Sequence, residues 1–155
     1  MRDVAAEMHR HRFFSGMSGA MQDRLAGCSE FVSFAAGETI LKEGAPANSF
    51  YAIRSGRVSV GVRTPNRGLA VIDTLHDGEI LGWSWLIKPY RWTYEAVATE
   101  PVRAIEFHAD CIRPYLDEEP AAGYELVTRI AGVMAERLQS AGLRLIDIYG
   151  VDDDH

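Results

Sequence analysis

A carboxylate flanked by glycines, followed along the chain by a guanidinium, is the part of this sequence best suited to chemistry. Glu79 lies in the run Asp77-Gly78-Glu79-Ile80-Leu81-Gly82, and Arg91 comes twelve residues after it. A short helix after this turn would point free backbone N–H groups at an anion. A guanidinium can hold two oxygens of one phosphate in fork geometry, which an ammonium group does less well. Groups of this kind could hold an anion, with an ordinary ion pair between Glu79 and Arg91 as the alternative.

Other chemistries lack the residues that they need. A metal-dependent enzyme would require histidines and carboxylates clustered on neighbouring elements. His9 and His11 lie in the polar N-terminal segment, while His76 and His108 stand alone. No Ser/His/Asp arrangement and no phosphate-binding P-loop can be recognised. We therefore expect no enzyme activity, no metal site and no cofactor. In particular, we do not expect a haem held by His76.

The two cysteines are expected to be packing residues. Cys28 and Cys111 are far apart in the sequence and match no CxxC pattern. Two thiols cannot complete a four-cysteine zinc or iron–sulfur site. A lone cysteine usually behaves as a small apolar side chain. The sequence therefore favours packing over a redox function for both residues.

The composition is that of one globular domain. The chain has 155 residues, of which 47% are apolar and 25% charged, and its net charge is −6. An acidic domain without a basic stripe is poorly suited to a polyanion, so we expect no direct nucleic-acid partner. The longest apolar run, Leu81 to Ile87, is far shorter than the roughly 20 residues of a membrane span. The charged N-terminus lacks the apolar stretch of a signal peptide, and the expected location is cytoplasmic.

The middle of the chain is a series of short β-rich runs separated by turn residues. Their composition and alternation predict eight strands or near-strands between Phe31 and Phe107. In chain order these are FVSF, ETILKE, SFYAIRS, RVSVGVRT, GLAVIDTL, EILGW, TYEAVATE and VRAIEFH. Such close spacing is typical of a jelly-roll-like β-roll, a double-stranded β-helix. Ser55-Gly56 separates SFYAI from RVSVGV, which predicts a hairpin of these two strands.

Helical patterns flank the β-rich region, so the fold class is mainly β with flanking α. Ser18 and Gly27 bound a short amphipathic N-terminal helix as its N-cap and its stop. HADCIRPYLDEE predicts a second short helix, and Pro120 opens a long C-terminal one at a position that tolerates proline. We assign residues 1–12 to a flexible lead-in, 13–149 to the domain and 150–155 to an acidic tail.

The long helix has two apolar faces. The first face has a near-heptad spacing and consists of Val127, Ile130, Met134, Leu138, Ala141, Leu145 and Ile148. The second face consists of Leu126, Val133, Leu143 and Ile146. One face can cover the domain's own β-roll, and the other then needs a further partner. We therefore expect a homodimer through residues 121–149; the alternative is a helix that packs wholly on its own domain.

Two glycine-punctuated segments resemble a known family. GETILKEG at 37–44 and FYAIRSGRV at 50–58 resemble the N-terminal half of a cyclic-nucleotide-binding domain. Domains of this type occur in catabolite activator proteins and in regulatory subunits of cAMP-dependent kinases. The run 77–82 resembles the start of the phosphate-binding cassette in these domains. The likeness covers residues 13 to 149 in the order helix, β-roll, helix, long helix.

The resemblance implies a regulatory module that binds cAMP, cGMP or a related anion. Glu79 would accept a hydrogen bond from the ribose 2′-hydroxyl, and Arg91 would hold the cyclic phosphate. The complete set implied for the ligand is Gly78, Glu79, Ile80, Leu81, Gly82, Arg91, Trp92, Thr93 and Arg137. The alternative is a domain of this type without a ligand, acting as a protein-interaction module.

The cassette also departs from the family pattern. The spacing from Glu79 to Arg91 is longer than usual, and an alternative register places Trp92 at the position of the arginine. Ala141 and Gly142 stand where catabolite activators supply hydroxyl groups to the adenine. Trp83, Trp85 and Trp92 could stack on a base or fill the pocket. No helix-turn-helix pattern follows the long helix, so we do not expect a factor that binds DNA directly.

Overall fold

The computed structural model describes residues 3–149, with side chains described as far as Leu143. The expectations for the side chains of Leu145, Ile146 and Ile148, and for the acidic tail at 150–155, lie outside the described residues. In the part of the chain that the structure describes, no helix combines the length and the apolar character needed to cross a bilayer.

Eight antiparallel strands form two four-stranded sheets, which confirms the predicted jelly-roll-like β-roll. The sheets have the orders β1-β8-β3-β6 and β2-β7-β4-β5. The strands are β1 (Ser29–Phe34), β2 (Thr39–Leu41), β3 (Ser49–Ser55), β4 (Val58–Thr64), β5 (Gly68–Leu75), β6 (Ile80–Leu81), β7 (Glu95–Ala98) and β8 (Val102–His108). The helices are α1 (Val4–Arg10), α2 (Gly19–Ala26), α3 (Ala109–Glu118) and α4 (Pro120–Tyr149).

The predicted hairpin of β3 and β4 is wrong. β3 pairs with β8 and β6, whereas β4 pairs with β5 and β7 in the other sheet. The chain passes between the sheets at Gly56, which has a φ of 102°. A Cβ at this glycine would collide with the carbonyl oxygen of Pro101. Ser55-Gly56 is therefore a corner of the roll, and its glycine resembles that of a hairpin turn because both need left-handed backbone.

Stacked aromatic side chains join the N-terminal segment and the cassette to one of the sheets. Phe50 of β3 stacks on Phe107 at 4.6 Å and on Trp85 at 4.9 Å between ring centroids. Phe14, in a single 3₁₀ turn after α1, lies 5.4 Å from Phe107. All four rings are fully buried, which makes them a large part of the apolar area removed from water.

Within the segment expected to be a lead-in, Val4–Arg10 form the helix α1. Asp3 caps α1 by accepting a hydrogen bond from the backbone N–H of Ala5. Met8 is fully buried, and the ring of His11 reaches the carbonyl of Ile53. The polar character of the segment conceals these two anchors, because only its inward-facing residues contact the core.

The helix boundaries follow the predicted signals. Ser18 accepts a hydrogen bond from the N–H of Met21 at the start of α2, and Gly27 is its C-cap. Pro114 lies within α3, and Pro120 is the first residue of α4. Capping by Ser18 marks the start of α2, and proline at a tolerated first position marks the start of α4.

The expectation that both cysteines are mere packing residues is wrong. Cys28 and Cys111 form a disulfide, with Cα atoms 5.5 Å apart and a sequence separation of 83. Cys28 follows α2, whereas Cys111 lies in the first turn of α3. The roll brings these distant segments together, a juxtaposition that sequence spacing cannot reveal.

The two faces of α4 have different surroundings. Leu126 and Ile130 are buried against the domain, and Val133 packs at the edge of the core. The largest exposed apolar side chains of the helix are Tyr124, Val127, Met134, Leu138 and Leu143. The predicted seam therefore divides among the described side chains: Ile130 covers the domain, whereas Val127, Met134 and Leu138 are exposed.

Candidate functional site

The cassette begins at a tight turn next to β6. Gly78 has a φ of 83°, its N–H donates to the carbonyl of Ile53, and its own carbonyl accepts from the Arg12 guanidinium. The Glu79 carboxylate turns back on this turn and accepts the backbone N–H of His76 at 2.6 Å. Glu79 therefore stabilises the turn itself, a role that needs no ligand.

Arg91 lies on a different surface from the one predicted. Its guanidinium is exposed and donates to the carbonyl of Gly44 at 3.0 Å. The neighbouring backbone is fixed by a hydrogen bond from the N–H of Trp92 to Ala45. Among residues 3–143, no ion pair or hydrogen bond joins Glu79 to Arg91. The two residues predicted to converge on a phosphate are thus each engaged elsewhere.

Trp92 fills the space beside Gly82. Its side chain is only 8% exposed, and a Cβ added to Gly82 would lie 2.9 Å from the indole ring. A small recess remains here, with a volume of about 30 Å³, lined in part by Leu81, Gly82 and Thr93. Trp92 therefore leaves little free space at this end of the cassette.

Of the three tryptophans, two are buried as packing residues. Trp85 is fully buried and lies in a single 3₁₀ turn, Ser84–Leu86, after the cassette glycine. Trp83 is half-buried and lines a larger cavity. Only Trp83 therefore remains available to contact a ligand by stacking.

Arg137 connects α4 to the cassette. Its guanidinium donates to the carbonyl of Ile80, and its Nε lies 3.7 Å from a carboxylate oxygen of Asp73 on β5. Burial lowers the pKa of Arg137 from its usual value, while the carboxylates of Asp73, Glu79 and Glu136 oppose that effect. This contact was predicted as a ligand contact; in the structure the guanidinium binds the protein's own backbone.

A cavity of about 460 Å³ lies between α4 and the strands β4 and β5. We call it the α4 cavity. Its lining is mainly apolar and includes Val60, Ile72, Trp83, Tyr94, Met134 and Leu138. Asp73 and Arg137 are its charged residues, and Ala131, Ala135 and Ala141 complete its helical wall. The volume and the apolar lining are typical of sites for small organic ligands.

The predicted ligand residues line more than one cavity, and Arg137 is shared between the small recess and the α4 cavity. Gly78, Glu79 and Ile80 line a second cavity of about 280 Å³, together with Arg12 and Arg129. The remaining residues of the set face the small recess, the α4 cavity, the core or, for Arg91, solvent. The structure does not gather the set around one ligand.

A group of potential metal ligands lies on the outer face of the sheet. Ligand atoms of Glu30, Glu106 and His108 are within 4.8 Å of one another. Glu106 already accepts the hydroxyl groups of Ser49 and Tyr51. Burial raises the pKa of Tyr51, which keeps its hydroxyl protonated as a donor. His108 lies 3.6 Å from Glu30, so these side chains satisfy one another.

A comparison with protein families matches residues 31–119 to the cyclic nucleotide-binding domain. The matched segment is more than half of the chain and runs from β1 to the end of α3. The chain belongs to this family. The predicted resemblance is confirmed, and the cyclic nucleotide-binding domain accounts for the β-roll, the cassette turn and α3.

Relatives of the domain include regulators. A CRP-like cAMP-activated global transcriptional regulator of Mycobacterium tuberculosis is 26% identical over 143 residues, which are 92% of this chain and 62% of the regulator. The crystal structure of a protein from Geobacter metallireducens, described as a cyclic nucleotide-binding protein, superposes with a TM-score of 0.80 at 28% identity. It covers 89% of this chain and 99% of that one.

One relative of the domain is an enzyme. Glutaminase 2 of Bradyrhizobium diazoefficiens is 28% identical over 112 residues, which are 72% of this chain but 17% of the glutaminase. The match therefore falls on a small part of that enzyme.

Sequence reasoning missed most residues of the α4 cavity. Asp73 was one sequence signal of this cavity, because a carboxylate interrupts the otherwise apolar strand GLAVIDTL. Met134 and Leu138 were assigned to a subunit seam, although they also line the cavity. An exposed side chain of α4 can line this cavity and also be available to contact a second subunit.

Proposed function

We propose that this domain is a non-catalytic regulatory module that binds a small organic ligand in the α4 cavity and transmits its presence through α4. One observation carries the proposal: the cavity has one wall from the roll and the other from the long helix. A ligand between two elements contacts both, so its binding free energy stabilises one arrangement of the helix.

The regulatory part of the proposal draws support from the family. The mycobacterial relative is named as a cAMP-activated regulator, and the present chain matches it along 92% of its own length. cAMP and cGMP are therefore the first ligands to test. Their binding through Glu79 and Arg91 would require both side chains to leave the backbone groups that they contact here.

A second function is favoured by the packing of the cassette. Trp92 occupies the space beside Gly82, and Arg137 binds the Ile80 carbonyl without any ligand. These contacts would suit a domain that has lost its ligand and uses the exposed face of α4 to bind another protein. The two functions predict different results when the α4 cavity is filled by a larger side chain. Filling it should abolish ligand binding by the first kind of module and should not affect the protein binding of the second.

The test compares a cavity-filling variant with a matched surface variant. Ala135→Trp places an indole in the α4 cavity, whereas Gln139→Trp adds the same side chain at an exposed position of α4 outside the cavity. Thermal shifts are measured with cAMP, cGMP and the neutral dye N-phenyl-1-naphthylamine. We expect at least one compound to raise the melting temperature of the wild type and of Gln139→Trp, but not of Ala135→Trp.

Hydrogen exchange along α4 provides the second measurement. Slower exchange of its backbone amides in the presence of the bound compound is expected, because the ligand holds the helix against the roll. If no compound binds, or if Ala135→Trp responds like the wild type, the ligand-binding proposal is wrong and the interaction module replaces it.

A further inference from the structure

The disulfide between Cys28 and Cys111 can be approached from solvent on the side of Cys111. Cys111 is an exposed residue at the third position of α3, whereas Cys28 is only 4% exposed. Thiol exchange requires access of a thiolate to one of the two sulfurs. The folded domain therefore offers the sulfur of Cys111 to a thiol and protects that of Cys28.

The helix that carries Cys111 also holds the cassette, through a side chain two residues further on. Nε and Nη2 of Arg113 donate to the carbonyl of Trp85 at 3.0 and 2.7 Å, and Nη2 also donates to the carbonyl of Ala47 at 3.2 Å. The guanidinium lies 4.1 Å from the centroid of the Tyr90 ring. The position of α3 thereby sets the position of residues 84–90.

The same helix leads directly into α4. Glu119 alone separates the end of α3 from Pro120, the first residue of α4. The N–H of Glu119 donates to the carbonyl of Tyr115, and its own carbonyl accepts the N–H of Gly123. No flexible linker separates the two helices, so a change in the anchoring of α3 reaches both the cassette and α4.

From these contacts we infer that the Cys28–Cys111 disulfide is a redox modification site. A dithiol reductant acts on it through Cys111, and its reduction loosens the hold of α3 on the cassette. Arg113 is the positioning residue that carries the effect. The inference does not rest on ligand binding in the α4 cavity, because it concerns the unliganded chain.

The reaction transfers two electrons from the dithiol to the disulfide. A thiolate of the reductant attacks the sulfur of Cys111, the S–S bond breaks, and the sulfur of Cys28 leaves with the electron pair and takes up a proton. The second thiol of the reductant then loses its proton and attacks the reductant sulfur bound to Cys111. A disulfide closes within the reductant, and Cys111 leaves as a thiolate, which the partial positive charge at the start of α3 stabilises.

Reduction kinetics of the oxidised full chain test the accessibility of the site. The chain is treated with increasing dithiothreitol in native buffer, and released thiols are counted by alkylation and mass spectrometry. We expect a rate that is proportional to dithiothreitol and unaffected by low urea, because the folded protein reacts. A rate that rises with urea in parallel with the unfolded fraction, or that does not depend on dithiothreitol, would overturn the inference.

A monothiol identifies the sulfur that is attacked. After brief exposure to glutathione and alkylation of the released thiol, peptide mapping locates the mixed disulfide. We expect the adduct on Cys111 to exceed that on Cys28 at least about tenfold, because only Cys111 is exposed. A predominant adduct on Cys28 would contradict the assignment.

Hydrogen exchange of the unliganded chain tests the coupling to the cassette. Reduction should speed the exchange of backbone amides in residues 84–90 at least about tenfold, because α3 then holds them less firmly. Oxidised Leu75→Ala is the control for a general loss of stability, since Leu75 is buried on β5 in the other sheet. Compared at equal free energy of unfolding, this variant should leave residues 84–90 more protected than reduction does.

A variant of Arg113 tests whether this side chain carries the effect. Arg113→Gln should speed the exchange of residues 84–90 in the oxidised chain, and reduction should then add less than about twofold. Arg103→Gln makes the same change at an exposed position of β8 and should behave like the wild type. If Arg113→Gln is unstable, Arg113→Lys serves instead, because an ammonium group cannot hold both carbonyls in fork geometry.

The outcomes are separate from those of the proposed function. If reduction leaves the exchange of residues 84–90 unchanged, or speeds it equally in the wild type and in the Arg113 variant, the redox inference is overturned while ligand binding is unaffected. If the redox results are as expected and no compound binds in the α4 cavity, the proposed function alone fails.

Discussion

A buried histidine links the N-terminal segment to the roll. His11 is 7% exposed, its Nε2 lies 3.2 Å from the carbonyl of Ile53, and its Nδ1 accepts the backbone N–H of Phe13. This pattern needs a neutral ring with its proton on Nε2. Burial lowers the pKa of His11 from its ordinary value, although the hydrogen bond to Ile53 partly opposes that shift.

We predict that acid destabilises the domain through His11. Because its pKa is lower in the folded state, the unfolded chain takes up the proton first as the pH falls. The stabilisation by the neutral ring is complete above a pH of about 6.5 and declines as the pH falls from there through the lower, folded-state pKa. Urea unfolding at several pH values between 5 and 8 measures this decline.

His11→Gln should reduce the loss of unfolding free energy between the upper and lower pH. His9→Gln is the matched control, because His9 is exposed and lies only two residues away. An unchanged pH dependence in His11→Gln would contradict the role assigned to this ring.

At the scale of elements, α3 fastens the cassette to the rest of the domain. Arg113 donates to the carbonyl oxygens of Trp85 and Ala47, and its guanidinium lies 4.1 Å from the centroid of the Tyr90 ring. One helical side chain therefore holds both the 3₁₀ turn that contains Trp85 and the loop that contains Ala47. The disulfide at Cys111 fixes the first turn of the same helix.

We predict that reduction of the disulfide destabilises the domain by about 2–4 kcal/mol, because the oxidised bond restricts the unfolded chain over a long loop. Denaturant unfolding with and without dithiothreitol measures the difference. The variant Cys28→Ser/Cys111→Ser should unfold like the reduced wild type and should not respond to dithiothreitol. Equal stability of the oxidised and reduced wild type would contradict the prediction.

At the scale of the whole molecule, α4 exposes more apolar surface than one subunit covers. Val127, Met134 and Leu138 of the predicted seam are 48%, 38% and 75% exposed, although the helix also buries Leu126 and Ile130 in its own domain. Exposed apolar side chains repeated along one helix are typical of a helix–helix interface. The surface is suited to a second copy of the same helix, which a two-fold axis would place against it.

We predict a homodimer in solution that depends on this face. Leu138→Glu would bury an unpaired charge at the interface and should weaken the dimer by roughly 100-fold or more. Gln139→Glu adds the same charge at the adjacent exposed position and should leave the dimer intact. Light scattering or sedimentation at micromolar concentration measures the mass, and a monomeric wild type would contradict the prediction.

The sequence alone determined the eight strands, the helices α2, α3 and α4, and the family of this protein, but not α1. Glycines at corners, alternating apolar residues and helix caps act within a few positions of one another, so they predicted eight strands, the N-cap of α2 at Ser18 and the start of α4 at Pro120. The same local patterns carried the family resemblance. They did not show that the N-terminal residues are anchored, because Met8 and His11 acquire that role only when the roll is present to receive them.

The tertiary structure decided everything that depends on contacts distant in sequence. β3 pairs with β8 instead of its neighbour β4, and Cys28 meets Cys111 across 83 residues. Arg91 faces solvent and Trp92 faces the core, although the two residues are adjacent in sequence. The backbone hydrogen bonds between residues 90–92 and residues 44–47 fix these orientations. Asp73 meets Arg137 only because α4 lies across β5. Local propensity cannot set these pairings, since each depends on the free energy of packing whole elements together.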